Sequence, residues 1–202
     1  MKLRYSQCVD STTILGPGNR AVIWVYGCCF DCPGCIAKNY RHGKSITSDT
    51  SKLVQWYLQT GSEGLTISGG EPFLQASALS ELIKAIRLKT ELDVIVYSGF
   101  YYDELIQKND SEVNQLLSEI DLLIDGPYIE AENNNEPYRG SGNQHLILLT
   151  DRLKTKVNDY YEKEIGRKIQ IYGTRDETVM IGVPSREQVE LWNILRKYGN
   201  GE

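Results

Sequence analysis

Apolar positions along the chain fall into short continuous runs separated by helical repeats. Ala21-Val22-Ile23-Trp24-Val25-Tyr26 is nearly unbroken in apolar and aromatic side chains. Such a run predicts a strand buried on both faces of a parallel sheet. Gly64-Leu65-Thr66-Ile67-Ser68, Asp93-Val94-Ile95-Val96-Tyr97-Ser98 and Leu122-Leu123-Ile124-Asp125 have the same character, and each ends at a glycine: Gly69, Gly99 and Gly126. His145-Leu146-Ile147-Leu148-Leu149 predicts a fifth strand. Between the runs the period changes. Residues 49 to 59 read as a helix with Leu53, Trp56, Tyr57 and Leu58 toward one face. Leu79, Leu82, Ile83 and Ile86 fall at i, i+3, i+4 and i+7, an amphipathic helix of about three turns. Val113, Leu116, Leu117 and Ile120 repeat that spacing.

The remaining stretches carry weaker patterns. Residues 1 to 20 are mixed, end in Gly16-Pro17-Gly18-Asn19, and read as a loop leading into the first strand. Residues 130 to 143 are polar, with three consecutive asparagines, and read as a long surface loop, a feature often tied to function. Residues 151 to 164 read as a helix, and 168 to 172 with 178 to 183 as a sixth strand or a hairpin across Gly173. Ser185-x-x-Gln188 is a capping-box pattern that opens a last helix over 185–198, with Val189, Trp192 and Leu195 on one face. Strand–helix alternation implies parallel βα units joined by right-handed crossovers. A unit takes about 30 residues, so the chain holds about six, fewer than the eight of a closed barrel of about 250 residues. The expected fold is therefore α/β, a partial (βα)6 barrel open on one side. It forms one domain over 1–202 with a core of about 16–184, and neither an internal repeat nor a dividing linker interrupts it.

Composition narrows the function. The 202 residues are 41% hydrophobic and 24% charged, an ordinary globular balance. No apolar run approaches the roughly 20 residues of a membrane span, and Met1-Lys2-Leu3-Arg4-Tyr5-Ser6 is too polar for a signal peptide. The expectation is a cytoplasmic protein without a membrane partner. A net charge of −5 without a basic cluster argues against nucleic acid as the main partner. Five cysteines, four of them within eight residues, point to metal or redox chemistry rather than a disulfide framework.

The densest chemistry is Cys28-Cys29-Phe30-Asp31-Cys32-Pro33-Gly34-Cys35. Cys28, Cys32 and Cys35 are spaced C-x3-C-x2-C, which turns three sulfurs inward on one tight loop or helical turn. A cubane [4Fe–4S] cluster has four irons, so three thiolates leave one iron open to a ligand from outside the protein. The competing reading is zinc or buried thiols. Structural zinc takes four protein ligands in paired C-x2-C spacings, and here there is one C-x2-C and only His42 and His145 besides. Cys29 and Cys8 read as packing thiols.

C-x3-C-x2-C resembles the signature of radical S-adenosylmethionine (SAM) enzymes. Gly16-Pro17-Gly18-Asn19-Arg20, Val25-Tyr26-Gly27-Cys28 and Cys32-Pro33-Gly34-Cys35 are similar to the anaerobic ribonucleotide reductase activating branch of the glycyl-radical-enzyme activases. So are Ser68-Gly69-Gly70-Glu71-Pro72, Tyr97-Ser98-Gly99-Phe100-Tyr101, Asp125-Gly126-Pro127-Tyr128 and Tyr138-Arg139-Gly140-Ser141-Gly142-Asn143-Gln144. The likeness implies a [4Fe–4S] cluster on Cys28, Cys32 and Cys35 whose open iron chelates SAM. It implies reductive cleavage of SAM to a 5′-deoxyadenosyl radical, which abstracts a hydrogen atom from a backbone glycine of an anaerobic ribonucleotide reductase or another glycyl radical enzyme. A flavodoxin- or ferredoxin-type donor would supply the electron. Ile36-Ala37-Lys38 departs from the His-Asn often found after the last cysteine, and Gly34 stands where the wider superfamily often has an aromatic residue. A different substrate, such as a ribosomal peptide, would show the same core, and a non-catalytic iron–sulfur electron carrier is the reading of another class.

The likeness also implies SAM contacts, each with a bland counterpart. Gly69 and Gly70 let backbone approach a ligand, and with the Glu71 carboxylate they would meet the SAM amino group; otherwise they form a turn before a helix. Ser98 would offer its hydroxyl to the ribose or carboxylate of SAM, and Asp125 would serve SAM or the substrate; either alternatively caps a turn. Arg139 would hold a carboxylate bidentately or is a solvated loop charge. Val183, in Gly182-Val183-Pro184, would lay backbone along adenine. Arg20 would serve the mouth of the site or a surface pair.

Overall fold

The computed structural model describes residues 1–162, 166–173, 178–191 and 193–194. Seven strands form one sheet: β1 (Lys2–Thr12), β2 (Arg20–Val25), β3 (Ile46–Asp49), β4 (Gly64–Gly69), β5 (Asp93–Tyr97), β6 (Leu122–Asp125) and β7 (His145–Leu148). They lie in the order β3-β1-β2-β4-β5-β6-β7. The inner four, β2, β4, β5 and β6, are parallel. β1 runs antiparallel to β2 and to β3, and β7 antiparallel to β6. A separate antiparallel hairpin pairs β8 (Ile169–Gly173) with β9 (Thr178–Gly182). The helices are α1 (Asn39–His42), α2 (Thr50–Thr60), α3 (Ala76–Arg87), α4 (Tyr102–Gln107), α5 (Ser111–Leu117) and α6 (Lys154–Glu162).

The protein is α/β, as the alternation of periods implied, but the parallel part is four strands rather than six. The expected fifth strand returns antiparallel because only a loop with one 3-10 turn, Glu130–Glu132, separates it from β6. Without a crossover element the chain returns beside the strand it left. The expected sixth strand is the hairpin. Residues 1 to 20 correct the loop reading, since most of them form β1. Its register slips between Tyr5 and Gln7 and between Val9 and Thr12, and such bulges break the period of two by which a strand is recognised. The capping box at Ser185 and Gln188 is present; Trp192 and Leu195–Lys197 with Tyr198 lie outside the described residues.

Alternation along the parallel strands sends side chains to two buried faces. Ala21, Ile23, Val25, Leu65, Ile67, Val94, Val96 and Leu123 meet α2, α3 and α5 in one large core. Leu79, Leu82, Ile83 and Ile86 of α3 are all 0% exposed, which accounts for their spacing. On the other face Ile95, Leu122 and Ile124 pack with Tyr138, Leu153 and Val157, bringing in α6. Val22 and Trp24 pack there with Leu15 and with Ile181 of the hairpin.

Arg20 corrects the reading that put it at a site mouth or in a surface pair. It opens β2 at the amino ends of the parallel strands and is fully buried. Nε donates to Thr66 Oγ1 at 2.7 Å, Nη2 to Leu65 O at 2.9 Å, and Nη1 to Pro17 O at 3.2 Å and to the Asp93 carboxylate. Gly64 leaves room for this group, because a Cβ there would lie 2.4 Å from Arg20 Nη1. The cation ties the first, second and third parallel strands together at the edge away from the cysteine loop. Replacing one member of such a pair strands the other. Arg20→Met is expected to lower the stability of the metal-free protein by about 3–5 kcal/mol, read from the urea midpoint at unchanged slope. A loss near zero would show that the ion pair does not anchor the sheet.

Candidate active site

Because β2, β4, β5 and β6 are parallel, their carboxyl ends share one edge of the sheet, where ligands bind in such folds. The loops that leave it are 26–45, 69–75, 98–101 and 126–144. Two of them are locked together by backbone. Gly70 N donates to Val25 O, and Glu71 N to Gly27 O, each at 2.8 Å. A Cβ on Gly70 would lie 1.9 Å from Gly27 O, and one on Gly69 2.7 Å from Val25 O. Gly27 (φ 95°) and Gly69 (φ 101°) sit in the left-handed region that favours glycine. The cysteine loop and the Gly69-Gly70 turn are therefore in backbone contact.

The cysteine loop starts one residue after Gly27. Cys28, Cys32 and Cys35 are half-buried and Cys29 is exposed; none of the five cysteines is in a disulfide. Cys35 N donates to Cys32 O at 3.3 Å, and Gly34 (φ 72°) makes the turn between them. Phe30 N donates to Cys28 Sγ at 3.4 Å. Burial, with smaller contributions from Glu71, Cys29 and Cys35, pushes the Cys28 thiol up to about 11, against the pull of the Phe30 N–H. Cys8 is on β1, opposite Ile23, where burial above all raises its pKa to about 12; it stands apart from the loop as a packing thiol. Among the described residues no three His, Cys, Asp or Glu side chains converge on a position for one metal ion. A cubane asks something different, thiolates reaching separate corners from one short loop. Three thiols on eight residues, one already receiving a backbone N–H as cluster sulfurs do, fit that demand.

Glu71 is the hub between β4 and β5. It is 1% exposed. Oε1 accepts from Phe73 N and from Ser98 Oγ, each at 3.0 Å, and Oε2 accepts from Gly99 N at 2.8 Å. Ser98 Oγ in turn accepts from Phe100 N at 3.0 Å. The Glu71 carboxylate and the Ser98 hydroxyl are both buried and hydrogen-bonded to each other. What the segment presents at the edge is the backbone of Gly69 and Gly70. Phe30 of the cysteine loop closes the third side. A Cβ on Gly99 would lie 2.6 Å from its ring, and it meets Phe100 edge-on at 4.8 Å.

Asp125, at the end of β6, is 2% exposed. It accepts from Tyr102 N at 2.7 Å, from His145 N at 3.1 Å, and pairs with His145 Nδ1 at 2.9 Å. It thereby caps and pins neighbouring segments. Arg139 is neither solvated nor free: Nη1 donates to Gln144 O at 2.9 Å and Nη2 pairs with Glu136 at 3.0 Å. The 130–143 loop is not a plain surface loop either, since Asn133, Tyr138 and Ser141 are buried. Val183 packs against the cluster of Leu15, Val22, Trp24 and Ile181. Three residues carry weight that sequence reasoning passed over. Phe30 and Gly99 make the contact just described. Glu130 has its carboxyl 2.7 Å from where a Gly34 Cβ would be. Gly99 alone left a signal, as the glycine that stops a strand.

The model of the 4Fe-4S single cluster domain matches residues 14–147. The anaerobic ribonucleoside-triphosphate reductase-activating protein of Enterobacteria phage T4 is 29% identical over 156 residues, 74% of this chain and 96% of the phage protein. The protein of that name from Vibrio cholerae serotype O1 is 29% identical over 161 residues, 73% of this chain and 99% of its own. The pyruvate formate-lyase-activating enzyme of Clostridium pasteurianum is 30% identical over 200 residues, 93% of this chain and 74% of that enzyme.

The Glu71 hub makes a pH-dependent statement. Burial, outweighing its three hydrogen bonds, pushes the carboxyl up to about 7 from the usual 4.5. A carboxyl raised on folding adds stability below its unfolded pKa and loses it as pH climbs through the folded one. The metal-free protein should therefore lose stability between about pH 4.5 and pH 7 through this group. Glu71→Gln should flatten that slope and lower stability throughout by about 1–3 kcal/mol, because an amide cannot accept from all three donors. Denaturant midpoints measured across the pH range check both; an unchanged slope would put the titration elsewhere.

Proposed function

The chain belongs to the family of single-cluster 4Fe–4S proteins that includes the glycyl-radical-enzyme activases, and from that premise we propose that it is a radical SAM activase acting on a protein substrate. Cys28, Cys32 and Cys35 would hold the [4Fe–4S] cluster, and the backbone of Gly69 and Gly70 would receive the amino group of SAM. Bound there, the reduced cluster would supply one electron to the SAM sulfonium, so that breaking the C5′–S bond would give methionine and a 5′-deoxyadenosyl radical able to take a hydrogen atom from the substrate.

What the chain's own residues contribute is position. The observation that carries the reading is the contact of Gly70 with Gly27, which sets the loop for the amino group against the loop for the cluster. Glu71, by holding Ser98 and Gly99, keeps the Gly69-Gly70 carbonyls in place and walls off water at the end of β5. Phe30 against Gly99 shields the same side. In this reading the sheet is the wall of an open partial barrel, and its open side admits the loop of a partner protein. Arg139 and Asp125 shape that opening through the segments they pin, and Val183 packs on the cluster around Trp24 of the strand that leads to the cysteine loop.

The partner is a glycyl radical enzyme, an anaerobic ribonucleotide reductase in the first instance. The alignment with the pyruvate formate-lyase-activating enzyme extends into the carboxyl-terminal part of the chain, which favours a formate-lyase-type partner as the second candidate. Anaerobic reconstitution with iron and sulfide, then dithionite and SAM, should release 5′-deoxyadenosine. Cys28→Ala, Cys32→Ala and Cys35→Ala should each abolish it, and Cys29→Ala should spare it. Mixing with each candidate partner and recording EPR spectra distinguishes them by the appearance of a glycyl radical. Nucleoside release without a radical on either partner would point to another substrate; no release at all would overturn the reading.

A further inference from the structure

The polar segment 130–143 spends several of its hydrogen bonds on fixing one turn. Ile129 N donates to the hydroxyl of the fully buried Ser141 at 3.1 Å. Gly142 N donates to Glu132 O at 2.7 Å, and Glu132 N closes the 3-10 turn onto Ile129 O at 3.0 Å. The turn presents Glu130, whose carboxyl faces Gly34 of the cysteine loop. A Cβ on Gly34 would stand 2.7 Å from Glu130 Cδ and 2.8 Å from each carboxyl oxygen. Gly34 lies between Cys32 and Cys35, so the carboxylate rests on the backbone that joins two of the three loop thiols. Tyr128 registers both groups: burial above all, and then Glu130 and Cys35, push its phenol up, against the pull of Asn133 and Arg167.

This contact brings the fold no bond. Among the described residues nothing donates a hydrogen bond to the Glu130 carboxylate or pairs with it. Arg186 lines the same cavity, yet its Nη2 goes to Ala131 O at 3.3 Å. Asp31, the acid of the cysteine loop itself, is tied to Arg41. Lys108 stands over the ring of Phe100, where its charge reaches Cys29 and Glu71. An uncompensated acid pressed on a loop of thiols costs stability once those thiols are thiolates. Local costs of this kind collect at functional sites.

We infer that Glu130 sets the reduction potential of the cluster and holds it low. The inference rests on the activase reading above, in which Cys28, Cys32 and Cys35 carry a [4Fe–4S] group. Uptake of one electron, from [4Fe–4S]2+ to [4Fe–4S]+, adds a negative charge to that group. A carboxylate fixed beside it opposes the added charge, and net charge is one of the factors that place such couples within their wide range. The reduced form becomes scarcer and a stronger reductant, as an electron bound for a sulfonium has to be. Glu130 acts through space and is a positioning residue, placing charge. It is exposed, so water and salt screen part of the effect.

The test compares Glu130→Gln, which removes the charge, Glu130→Lys, which reverses it, and Glu130→Asp, which keeps it, with Glu132→Gln on the same turn. Each protein is reconstituted anaerobically with iron and sulfide, without SAM. The [4Fe–4S]+ EPR signal is then followed as dithionite lowers the potential. Glu130→Gln should shift the equilibrium toward the reduced cluster about three- to tenfold, tenfold being about 59 mV for one electron. Glu130→Lys should go further in the same direction, and added salt should narrow both differences. Glu130→Asp and Glu132→Gln should titrate with the wild type. Urea midpoints of the metal-free variants should also match the wild type, since the carboxylate has no partner in the fold. Wild-type potentials in both Glu130→Gln and Glu130→Lys overturn the inference. So does an equal shift in Glu132→Gln, which would make the effect one of general surface charge. The titration contains neither SAM nor a partner, so either result leaves the activase reading standing. A wild type that holds no reducible cubane would overturn that reading, and this inference with it.

Discussion

Two backbones that touch without side chains between them set the geometry on which this protein depends. At Gly27 and Gly70 the chain ends of neighbouring parallel strands approach so closely that a single methyl group on Gly70 would overlap a carbonyl oxygen, at 1.9 Å. Two hydrogen bonds, Gly70 to Val25 and Glu71 to Gly27, close the contact. A cluster ligand one residue beyond Gly27 therefore inherits its position from the strand pair β2–β4, not from its own loop. The glycines carry a conformational cost, and the fully buried β2 and the four buried residues that open β4 offset it.

The remaining strand ends are drawn to that contact by a chain of buried polar groups. Glu71 reaches Ser98 and Gly99 on β5, Ser98 N donates to Ile124 O on β6, and Gly126 N donates back to Phe100 O. Each link joins buried or half-buried groups, where a missing partner costs more than a made bond returns. The two edges of the sheet divide the labour. At the amino edge a buried Arg20 spreads its donors over Pro17, Leu65, Thr66 and Asp93. At the carboxyl edge the buried charge is an acid whose donors are mostly backbone N–H groups of the site loops. Stability is concentrated at one end so that the other can keep irregular backbone.

The legible parts of the sequence were those with one dominant physical cause. Runs such as Ala21–Val25 had to be central strands, and the spacing of Leu79, Leu82, Ile83 and Ile86 had to be a helix on their core. The cysteine spacing named its chemistry. The parts that stayed hidden have two causes at once. In β1 the bulges scramble the alternation. In Glu71 and Ser98 a polar residue at a strand end can face a ligand or a neighbouring loop, and only burial decides. Arg20 read as a residue of the site mouth or of a surface pair because nothing local reveals that Gly64 and Asp93 wait for it from two other strands. Antiparallel β7 was missed because run length and composition are blind to direction, which the connecting loop sets.

The carboxyl-terminal segment completes the same logic from behind. It lies beyond the stretch matched by the family model, which ends at 147, yet it is not an appendage. Ile181 is 0% exposed against Val22, Trp24 and Leu15. Arg167 donates to Glu136 O, Asn133 Oδ1, Gly140 O and Pro184 O, so one half-buried cation ties the 130–143 loop to the hairpin. Burial lowers the pKa of that guanidinium first of all, a cost its hydrogen bonds to these acceptors offset. Trp24 lies between the two systems: the hairpin covers one side of it and Tyr40 of α1 stacks on it. The hairpin thus supports the strand that leads to Gly27, and through Trp24 the helix α1 beside it, so residues far along the chain share in holding the cysteine loop.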